Sequence, residues 1–264
     1  MLGVFDIGGT GYRVAPGWDN NKLGEVIHGL TCSNYREGVS SLIKSLNISG
    51  AKNRFEKIAG CIAGTVDQNN GKLISSPNLT DWVGKPLKSD LENEFGCPVL
   101  LENDAAGEGL GEAVFGAGKG FKTIGFFTVG TGIGGAKIED GKIVERAEPG
   151  WQIVFNDGEV GYLEAMAGGR AIERIYGKKP IEITDPKIWE HETRLLAMGI
   201  HNAITFWNPE VMVLGGSIFK SIDLEMLKQI LTEQNARFPK LPEIVRGSLG
   251  QEAGLWGCLK LAGN

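Results

Sequence analysis

The segment Glu102-Asn103-Asp104 combines two carboxyl groups and an amide where the chain changes from apolar to Gly- and Ala-rich. The apolar run before it predicts a strand, and the residues after it predict a helix. A carboxylate at such a junction can take the proton of a hydroxyl during phosphoryl transfer, provided that phosphate-binding loops lie elsewhere in the chain. Asp104 could instead be the N-cap of the helix, a position for which Asp is among the best residues. The amide of Asn103 is suited to hydrogen-bond a neutral polyol.

Two glycine-rich turns could supply those phosphate loops. The first, Asp6-Ile7-Gly8-Gly9-Thr10, predicts a hairpin tip at which backbone N–H groups approach a phosphate while Asp6 helps to hold a hydrated Mg²⁺. A plain turn capped by Thr10 is the alternative interpretation. The second, Gly130-Thr131-Gly132-Ile133-Gly134-Gly135, has the G-x-G-x-x-G spacing of dinucleotide-binding folds, but a strand pattern follows it instead of a helix. We therefore interpret it as a second phosphate-binding hairpin, in which Thr131 donates its hydroxyl.

These turns begin two similar halves of the chain, each with a strand, a glycine loop and a second strand. In the first half we predict strands at 2–7, 12–15, 25–28, 57–63 and 99–101, and helices at 37–46 and 87–95. In the second half we predict strands at 122–129, 136–138, 142–144 and 211–214, helices at 162–176, 187–207 and 252–261, and a turn at Gly215-Gly216. Duplicated α/β halves predict two lobes with a cleft between them. We place residues 1–103 and 250–264 in a smaller N-terminal lobe, to which the C-terminal helix returns, and residues 104–249 in a larger C-terminal lobe.

The composition limits the classes of partner. A net charge of −5 and a pI near 5.4, without a long Lys/Arg run, argue against nucleic acid or an anionic membrane as the partner. A small anionic cofactor fits, because backbone amides bind phosphate without net basicity. The four cysteines are far apart in sequence and predict reduced, mostly buried thiols. No apolar run approaches a membrane span, and the first strand begins at Leu2 with no room for a signal peptide or a DNA-binding headpiece, so we expect a cytoplasmic protein.

In their order along the chain, these motifs resemble the ROK family of sugar kinases (repressors, open reading frames, kinases), part of the actin-like ATPase superfamily. The resemblance runs nearly end to end. Asp6 to Thr10 looks like the first phosphate motif, Asn103-Asp104-Ala105 like the catalytic segment, and Gly130 to Gly135 like the second phosphate motif. Gly64-Thr65-Val66-Asp67, followed by Pro77-Asn78 and Trp82, is similar to the sugar-side loops, and Val213-Leu214-Gly215-Gly216-Ser217 to the adenosine motif. One such motif is a weak signal, whereas five in order are a strong one.

The resemblance implies a two-lobed, actin-like ATPase (ribonuclease H-like) α/β fold with duplicated mixed-sheet domains. It implies transfer of the γ-phosphoryl group of ATP, with Mg²⁺, to a hexose, usually at the 6-hydroxyl, and Asp104 would be the general base. Asn103, Glu148 and Glu164 would hold ring hydroxyls, and the other implied sugar-side residues are Gly64, Thr65, Asn78 and Trp151. The implied nucleotide-side residues are Asp6, Gly8, Gly9, Thr10, Gly130, Thr131, Gly132, Gly134, Gly215 and Gly216.

Several alternatives stay open at this point. A non-catalytic, sugar-sensing or regulatory member is the second reading, although the family's repressors carry an N-terminal helix-turn-helix that this sequence does not show. Glucose, mannose, fructose, and amino or N-acetyl hexoses differ by single groups that the sequence does not match to contacts. Polyphosphate also stays open as a donor. The resemblance is compatible with a homodimer, but the sequence reveals no interface.

The main departure from the family concerns zinc. Where the family usually has Gly-Glu-x-Gly-His, this chain has Ala147-Glu148-Pro149-Gly150-Trp151. The usual Cys-x-Cys-Gly-x-x-Gly-Cys-x-Glu is replaced so that Phe155, Asp157 and Tyr162 stand where the cysteines would be, while Glu164 remains. One Asp among aromatic residues cannot make a tetrahedral zinc site. We therefore predict no structural zinc, with Trp151, Phe155 and Tyr162 packed in its place, and with Trp151 either filling space or stacking on the sugar ring.

Overall fold

The computed structural model describes residues 1–18, 21–50, 55–156, 158–234 and 240–263. The chain divides into two α/β units, one formed by Met1–Phe115 with Gln251–Asn264 and the other by Gly116–Gly250. The lobe boundary predicted after residue 103 differs from this division, because the helix that begins at Asp104 packs on the C-terminal helix within the first unit. The two helices approach so closely that a Cβ on Gly257 would lie 1.9 Å from the carbonyl oxygen of Gly107.

In the first unit the elements up to the boundary are β1 (Leu2–Ile7), β2 (Gly11–Trp18), β3 (Lys22–Leu23), β4 (Ile27–Leu30), α1 (Tyr35–Gly50), β5 (Lys57–Ile62), β6 (Thr65–Asp67), β7 (Lys72–Ser75), α2 (Leu87–Phe95), β8 (Val99–Asn103) and α3 (Asp104–Val114). The second unit contains β9 (Thr123–Val129), β10 (Ile133–Glu139), β11 (Lys142–Ala147), β12 (Ile153–Asn156), β13 (Glu159–Tyr162), α4 (Leu163–Ala167), α5 (Gly169–Tyr176), α6 (Pro186–Trp207), β14 (Val211–Gly215), α7 (Leu224–Gln234) and β15 (Glu243–Arg246). The last helix, α8 (Ala253–Ala262), belongs to the first unit.

The sheet of the first unit has the order β3-β2-β1-β5-β8, with β4 also paired to β2. β1 is antiparallel to β2 but parallel to β5, and β5 is parallel to β8. All six residues of β1 are buried because both faces of the sheet are covered. Phe5 and Ile7 pack into a core with α1 and α2, whereas Leu2 and Val4 pack against α8 on the other face.

The second unit repeats this plan with the order β11-β10-β9-β14-β15. β9 is antiparallel to β10 and parallel to β14, which is parallel to β15. Its core joins Phe127 of β9 and Met212 of β14 to the apolar face of α6, including Leu196 and Ile200. The duplicated mixed sheets confirm the predicted fold class.

Several element predictions were incomplete. The single helix predicted at 162–176 is interrupted at Gly168, whose backbone is extended between α4 and α5. The strand predicted at 25–28 lies two residues later, as β4. The hairpins β6–β7 and β12–β13, the helix α7 and the strand β15 were not predicted, because short or exposed segments carry weak periodicity.

Two further sequence expectations can be compared with the structure. All four cysteines are free thiols, of which Cys61, Cys97 and Cys258 are buried and Cys32 is partly exposed. This agrees with the prediction of reduced, mostly buried thiols. Among the described helices, none is both long enough and apolar enough to cross a lipid bilayer.

Candidate active site

The first glycine hairpin joins β1 to β2. The backbone N–H of Gly8 donates to the carbonyl of Gly11 at 2.9 Å, and the hydroxyl of Thr31 donates to the carbonyl of Gly8 at 2.9 Å. Gly9 lies directly against the side chain of Asn78, where a Cβ would approach within 2.8 Å. Within the described chain, no hydrogen bond occupies the N–H groups of Gly9 and Thr10. Those N–H groups can therefore serve an external acceptor such as a phosphate oxygen.

Asp6 lies one residue before the end of β1 and is 6% exposed. Its carboxylate packs against Gly254 in the first turn of α8, where a Cβ would lie 2.9 Å from the carboxyl carbon. Burial raises the pKa of Asp6 to about 6, against the opposing influence of the Arg13 guanidinium. Nη1 of Arg13 is 3.4 Å from Oδ2 of Asp6, and Nη2 donates to the Gln251 side chain at 3.1 Å.

Asn103, and not Asp104, is the N-cap of α3. Its Oδ1 accepts from the backbone N–H of Ala106 at 2.9 Å, and its Nδ2 donates to the carbonyl of Gly64 at 2.9 Å and to Oδ1 of Asp104 at 3.1 Å. The alternative that Asp104 caps the helix is therefore wrong. Asp104 is the first residue of α3, and its Oδ1 also accepts from the N–H of Ala105 at 3.0 Å.

The loop after β5 provides the carbonyl that Asn103 contacts. Gly64 has φ +130°, and a Cβ there would lie 2.3 Å from the carbonyl oxygen of Ser75, so only glycine fits without strain. The hydroxyl of Ser75 donates to that of Thr65 in β6 at 3.2 Å. In the parallel register, Ile7, Ile62 and Asn103 are level across β1, β5 and β8. The predicted residues of this unit therefore lie at the end of the sheet where the parallel strands β1, β5 and β8 have their carboxyl ends.

Glu102, which belongs to the segment singled out in the sequence but was given no role there, supports this end of the sheet. Glu102 is 2% exposed, and both of its carboxylate oxygens accept from Nε2 of Gln68, at 2.7 and 2.8 Å. Its Oε1 also accepts from the N–H of Asn103 at 2.9 Å. Glu102 therefore acts as a buried anchor for the β8–α3 junction. A charged residue in an otherwise apolar strand was the available signal.

In the second unit, the hairpin between β9 and β10 is held by α5. The N–H of Gly130 donates to the carbonyl of Gly132 at 2.9 Å. The N–H groups of Gly169 and Arg170 donate to the carbonyls of Gly130 and Thr131 at 2.9 and 3.1 Å. Within the described chain, the N–H groups of Thr131 and Gly132 have no partner. Gly134, predicted at the turn, instead lies inside β10.

The Gly215-Gly216 turn lies against the end of β9. Gly215 is level with Thr128 in the parallel β14–β9 pair. Gly216 has φ +89°, and a Cβ there would lie 2.2 Å from the carbonyl oxygen of Val129. The turn is thus next to the second glycine hairpin, at the carboxyl ends of the parallel strands β9 and β14.

Glu164 also lies against the second hairpin. Its Oε2 accepts from the N–H of Ile133 at 2.7 Å. A Cβ on Gly132 would lie 2.5 Å from the same oxygen, and a Cβ on Gly150 3.1 Å from it, so two glycines make room for the carboxylate. Glu148 is exposed as a residue, but local desolvation of its carboxyl and, less strongly, the negative charge of Glu164 raise its pKa.

The aromatic residues at the lost zinc motif are mostly exposed. Trp151 is 61%, Phe155 64% and Tyr162 47% exposed. Trp151 and Tyr162 meet edge to face, with ring centroids 5.2 Å apart and an interplanar angle of 64°. The prediction that all three pack in place of the metal is therefore wrong for Phe155, which lies on the exposed face of β12. Asp157 lies outside the described residues.

No group of three or more His, Cys, Asp or Glu side chains in the described ranges is arranged to hold a metal ion. The lack of a structural zinc remains a prediction. A cavity of about 260 Å³ does lie beside these aromatic rings, and its walls include Thr131, Trp151, Tyr162, Glu164, Arg170 and Arg174. The two arginines were not among the predicted site residues, and their i, i+4 spacing on α5 was the available signal.

Duplicated mixed α/β sheets, each with a glycine hairpin after its first strand, together with carboxylates at the strand ends, define the class of sugar kinases with the actin-like ATPase fold. A sequence model of the ROK family matches residues 2–264. The chain belongs to the ROK family.

Individual relatives agree with this assignment. A glucokinase from Thermotoga maritima is 28% identical, covering 99% of this chain and 96% of that protein. The crystal structure of a ROK hexokinase from Thermus thermophilus has a TM-score of 0.83 at 28% identity, covering 99% of this chain and 97% of that one. An inorganic polyphosphate/ATP-glucomannokinase from Arthrobacter sp. strain KM has a TM-score of 0.73 at 29% identity, covering 98% of this chain and 96% of that one.

Proposed function

We propose that this protein transfers the γ-phosphoryl group of ATP to a hexose, at the 6-hydroxyl, with Asp104 as the general base. The observation that carries the proposal is that Asn103 and Asp104 have different roles at the start of α3. Because Asn103 caps the helix, Asp104 is not needed for that role. Its Oδ1 is oriented by the amide of Asn103 and by the N–H of Ala105. A carboxylate held in a fixed direction at a strand end is suited to accept a hydroxyl proton.

Each unit has polar groups that are suited to hold a hexose hydroxyl. In the first unit, Asn78 lies against Gly9 of the first hairpin, and Thr65 begins β6 directly after Gly64, whose carbonyl accepts from Asn103. In the second unit, one carboxylate oxygen of Glu164 accepts a hydrogen bond from the hairpin, and the other oxygen can bind a hydroxyl. Glu148 is near enough that, in addition to desolvation, the charge of Glu164 raises its pKa. Carboxylates and amides recognise neutral hydroxyls by direction and do not need opposite charge.

The residues at the glycine hairpins fit a nucleotide and its metal ion. The N–H groups of Gly9, Thr10, Thr131 and Gly132, which have no partner among the described residues, would donate to phosphate oxygens. Asp6 is a hard oxygen donor with one long hydrogen bond, from Arg13 at 3.4 Å, so it retains acceptor capacity for a magnesium-bound water. Gly215 and Gly216 would allow an adenosine to approach the backbone closely. Bound Mg²⁺–ATP would supply the transferable phosphoryl group.

Replacing the proposed base is the direct test. Asp104→Asn keeps the size and a hydrogen-bonding oxygen but cannot take a proton at neutral pH. We expect turnover to fall by about 10²-fold or more while hexose binding, measured by calorimetry, persists. Glu94→Gln, on the exposed face of α2, is the matched control and should keep wild-type turnover. Unchanged turnover in Asp104→Asn would sink the assignment of the base.

The assay of the wild type also separates a kinase from a sugar-sensing protein. ADP formation is followed across a panel of hexoses, amino hexoses and N-acetyl hexoses, with polyphosphate tested as a second donor. A kinase should turn over at least one acceptor, with kcat in the usual range of about 1–100 per second. Binding of a hexose without turnover under any of these conditions would instead favour the regulatory reading.

A further inference from the structure

The cavity beside the second glycine hairpin lies entirely within the second unit. Its volume of about 260 Å³ is slightly below the range of about 300–1,000 Å³ that is usual for ligand pockets, so it suits one small molecule. Thr131 of the hairpin and Glu164 form part of its wall, so it is continuous with residues that we propose to bind the hexose and the phosphate.

One wall is aromatic. The rings of Trp151 and Tyr162 meet edge to face, which supports the indole in one orientation although 61% of Trp151 is exposed. Backbone hydrogen bonds of the short turn Pro149–Trp151 fix the base of this wall, since the N–H of Trp151 donates to the carbonyl of Glu148 at 3.0 Å. Because the exposed Trp151 side chain lines the cavity, it offers an apolar surface for the C–H face of a sugar ring.

Another wall is cationic. Arg170 and Arg174 are four residues apart on α5, so they share one face of that helix, and both line the cavity. Nη2 of Arg174 donates to the carbonyl of Ala165, another wall residue, at 2.6 Å. That bond holds the guanidinium at the cavity wall and uses one of its five donors. Two arginines that line one cavity bring more positive charge than a neutral sugar requires.

The three kinds of wall have different chemical preferences. The free oxygen of Glu164 suits a hydroxyl, the Trp151 face suits a ring, and the guanidinium groups suit a carboxylate or phosphate, which they can bind through paired hydrogen bonds. We infer that the acceptor of this site is a hexose derivative that carries an anionic group, a carboxylate or a phosphate, held by Arg170 and Arg174. This inference rests on the proposed hexose kinase function and specifies the class of its substrate.

Binding by the full-length protein without nucleotide tests the inference independently of turnover. Calorimetric titrations compare glucose with 3-O-carboxymethylglucose and with glucose 1-phosphate, which separate the two sources of the anion and both keep the 6-hydroxyl, and with pyrophosphate, which has no ring. The double variant Arg170→Gln/Arg174→Gln and the single variant Arg170→Gln are compared with Arg194→Gln. Arg194 is an exposed arginine of α6 that pairs with Glu190 away from this cavity. Thermal unfolding midpoints of all variants verify that they fold.

We expect at least one anionic hexose to bind about tenfold or more tightly than glucose, and this preference should weaken with added salt. The double variant should lose the preference, Arg170→Gln should lose part of it, and Arg194→Gln should keep it. Equal affinity for glucose and both anionic hexoses would overturn the inference, as would a preference that survives in the double variant. Pyrophosphate binding as tightly as the anionic hexoses would also overturn it, since no ring would then be recognised.

Failure of the proposed function has a different signature. In that case no hexose, neutral or anionic, would give ADP, whatever the binding titrations show. Turnover of a neutral hexose with no preference for anionic ligands would instead preserve the kinase proposal and reject only the anionic substrate class.

Discussion

In the second unit, the position of the Glu164 side chain depends on glycines elsewhere in the sequence. Glu164 reaches the N–H of Ile133 only because Gly132 and Gly150 carry no side chain beside its carboxylate. The glycine hairpin therefore has two roles. It presents backbone amides, and it also receives a carboxylate that we propose as a sugar ligand.

Gly132→Ala tests this steric relation. Its added methyl group would lie 2.5 Å from Oε2 of Glu164, so the carboxylate must move, and we expect hexose affinity without nucleotide to fall about tenfold. Gly130→Ala, whose methyl group would meet no atom within 4 Å, should bind the hexose within about twofold of wild type. Calorimetry measures both. An undiminished affinity in Gly132→Ala would show that the position of Glu164 is unimportant for the sugar.

A buried carboxylate away from the candidate site makes stability depend on pH. Glu192 of α6 is fully buried, its Oε1 accepts from the hydroxyl of Tyr176 at 2.9 Å, and its Oε2 has no partner among the described residues. Burial raises its pKa to about 7 from an ordinary value of 4.5. Between these two values the folded state binds more protons than the unfolded state, so this carboxyl makes the protein less stable as the pH rises.

Glu192→Gln removes this titration and keeps an oxygen for Tyr176. We expect the variant to gain on the order of 2 kcal/mol in free energy of unfolding relative to wild type at about pH 8, and little at about pH 5. Urea unfolding at the two pH values measures the difference. A gap between variant and wild type that is the same at both would contradict the assigned pKa.

The ends and contacts of helices decide the geometry of the first unit's site. Asn103 caps α3 and, with the same amide, joins Asp104 to the loop at Gly64. The body of α3 is fixed by α8, because Gly107 and Gly257 let the two backbones touch. The direction of the Asp104 side chain is therefore set by the cap at the start of α3 and by the close contact between α3 and α8 at their glycines.

Two substitutions separate the cap from the orientation of Asp104. Asn103→Asp keeps an oxygen that accepts from Ala106, whereas Asn103→Ala removes it, so we expect only the alanine variant to lose about 1 kcal/mol of stability. Neither variant can donate to Gly64 and Asp104, and both should lose turnover by about tenfold or more. Thermal unfolding and the ADP assay give the two readouts. Full activity in Asn103→Asp would show that the amide donor does not orient the base.

Across the chain, each unit carries its own buried core, so neither requires a bound metal to supply one. The exposed aromatic residues at Trp151 and Phe155 occupy positions where the family resemblance implied zinc ligands. The segment around these positions is held by the pairing of β12 with β13 and by Val154, which packs into the core of the second unit.

We therefore expect purified protein to contain far less than one zinc per chain by elemental analysis. A structural zinc contributes on the order of 10 kcal/mol, so chelation would lower the unfolding midpoint if one were present. Treatment with a chelator should leave the midpoint unchanged, and added Zn²⁺ should not raise it. Stoichiometric zinc that survives purification, and whose removal destabilises the protein, would contradict this expectation.

The sequence by itself determined the order of the motifs, the fold class and the limits of well-patterned elements such as β1 and α2, because these depend on local residue types and periodicity. Only the tertiary structure decided that Asn103 caps α3, that Glu164 is tied to a hairpin 31 residues away in sequence, and that two arginines share a cavity with Trp151. Each of these depends on atoms brought together by packing. The dihedral angles of the β8–α3 junction determine which residue caps the helix, and glycines from other elements leave space for the Glu164 carboxylate. The signals that specify such contacts are spread over distant residues, so no local pattern contains them.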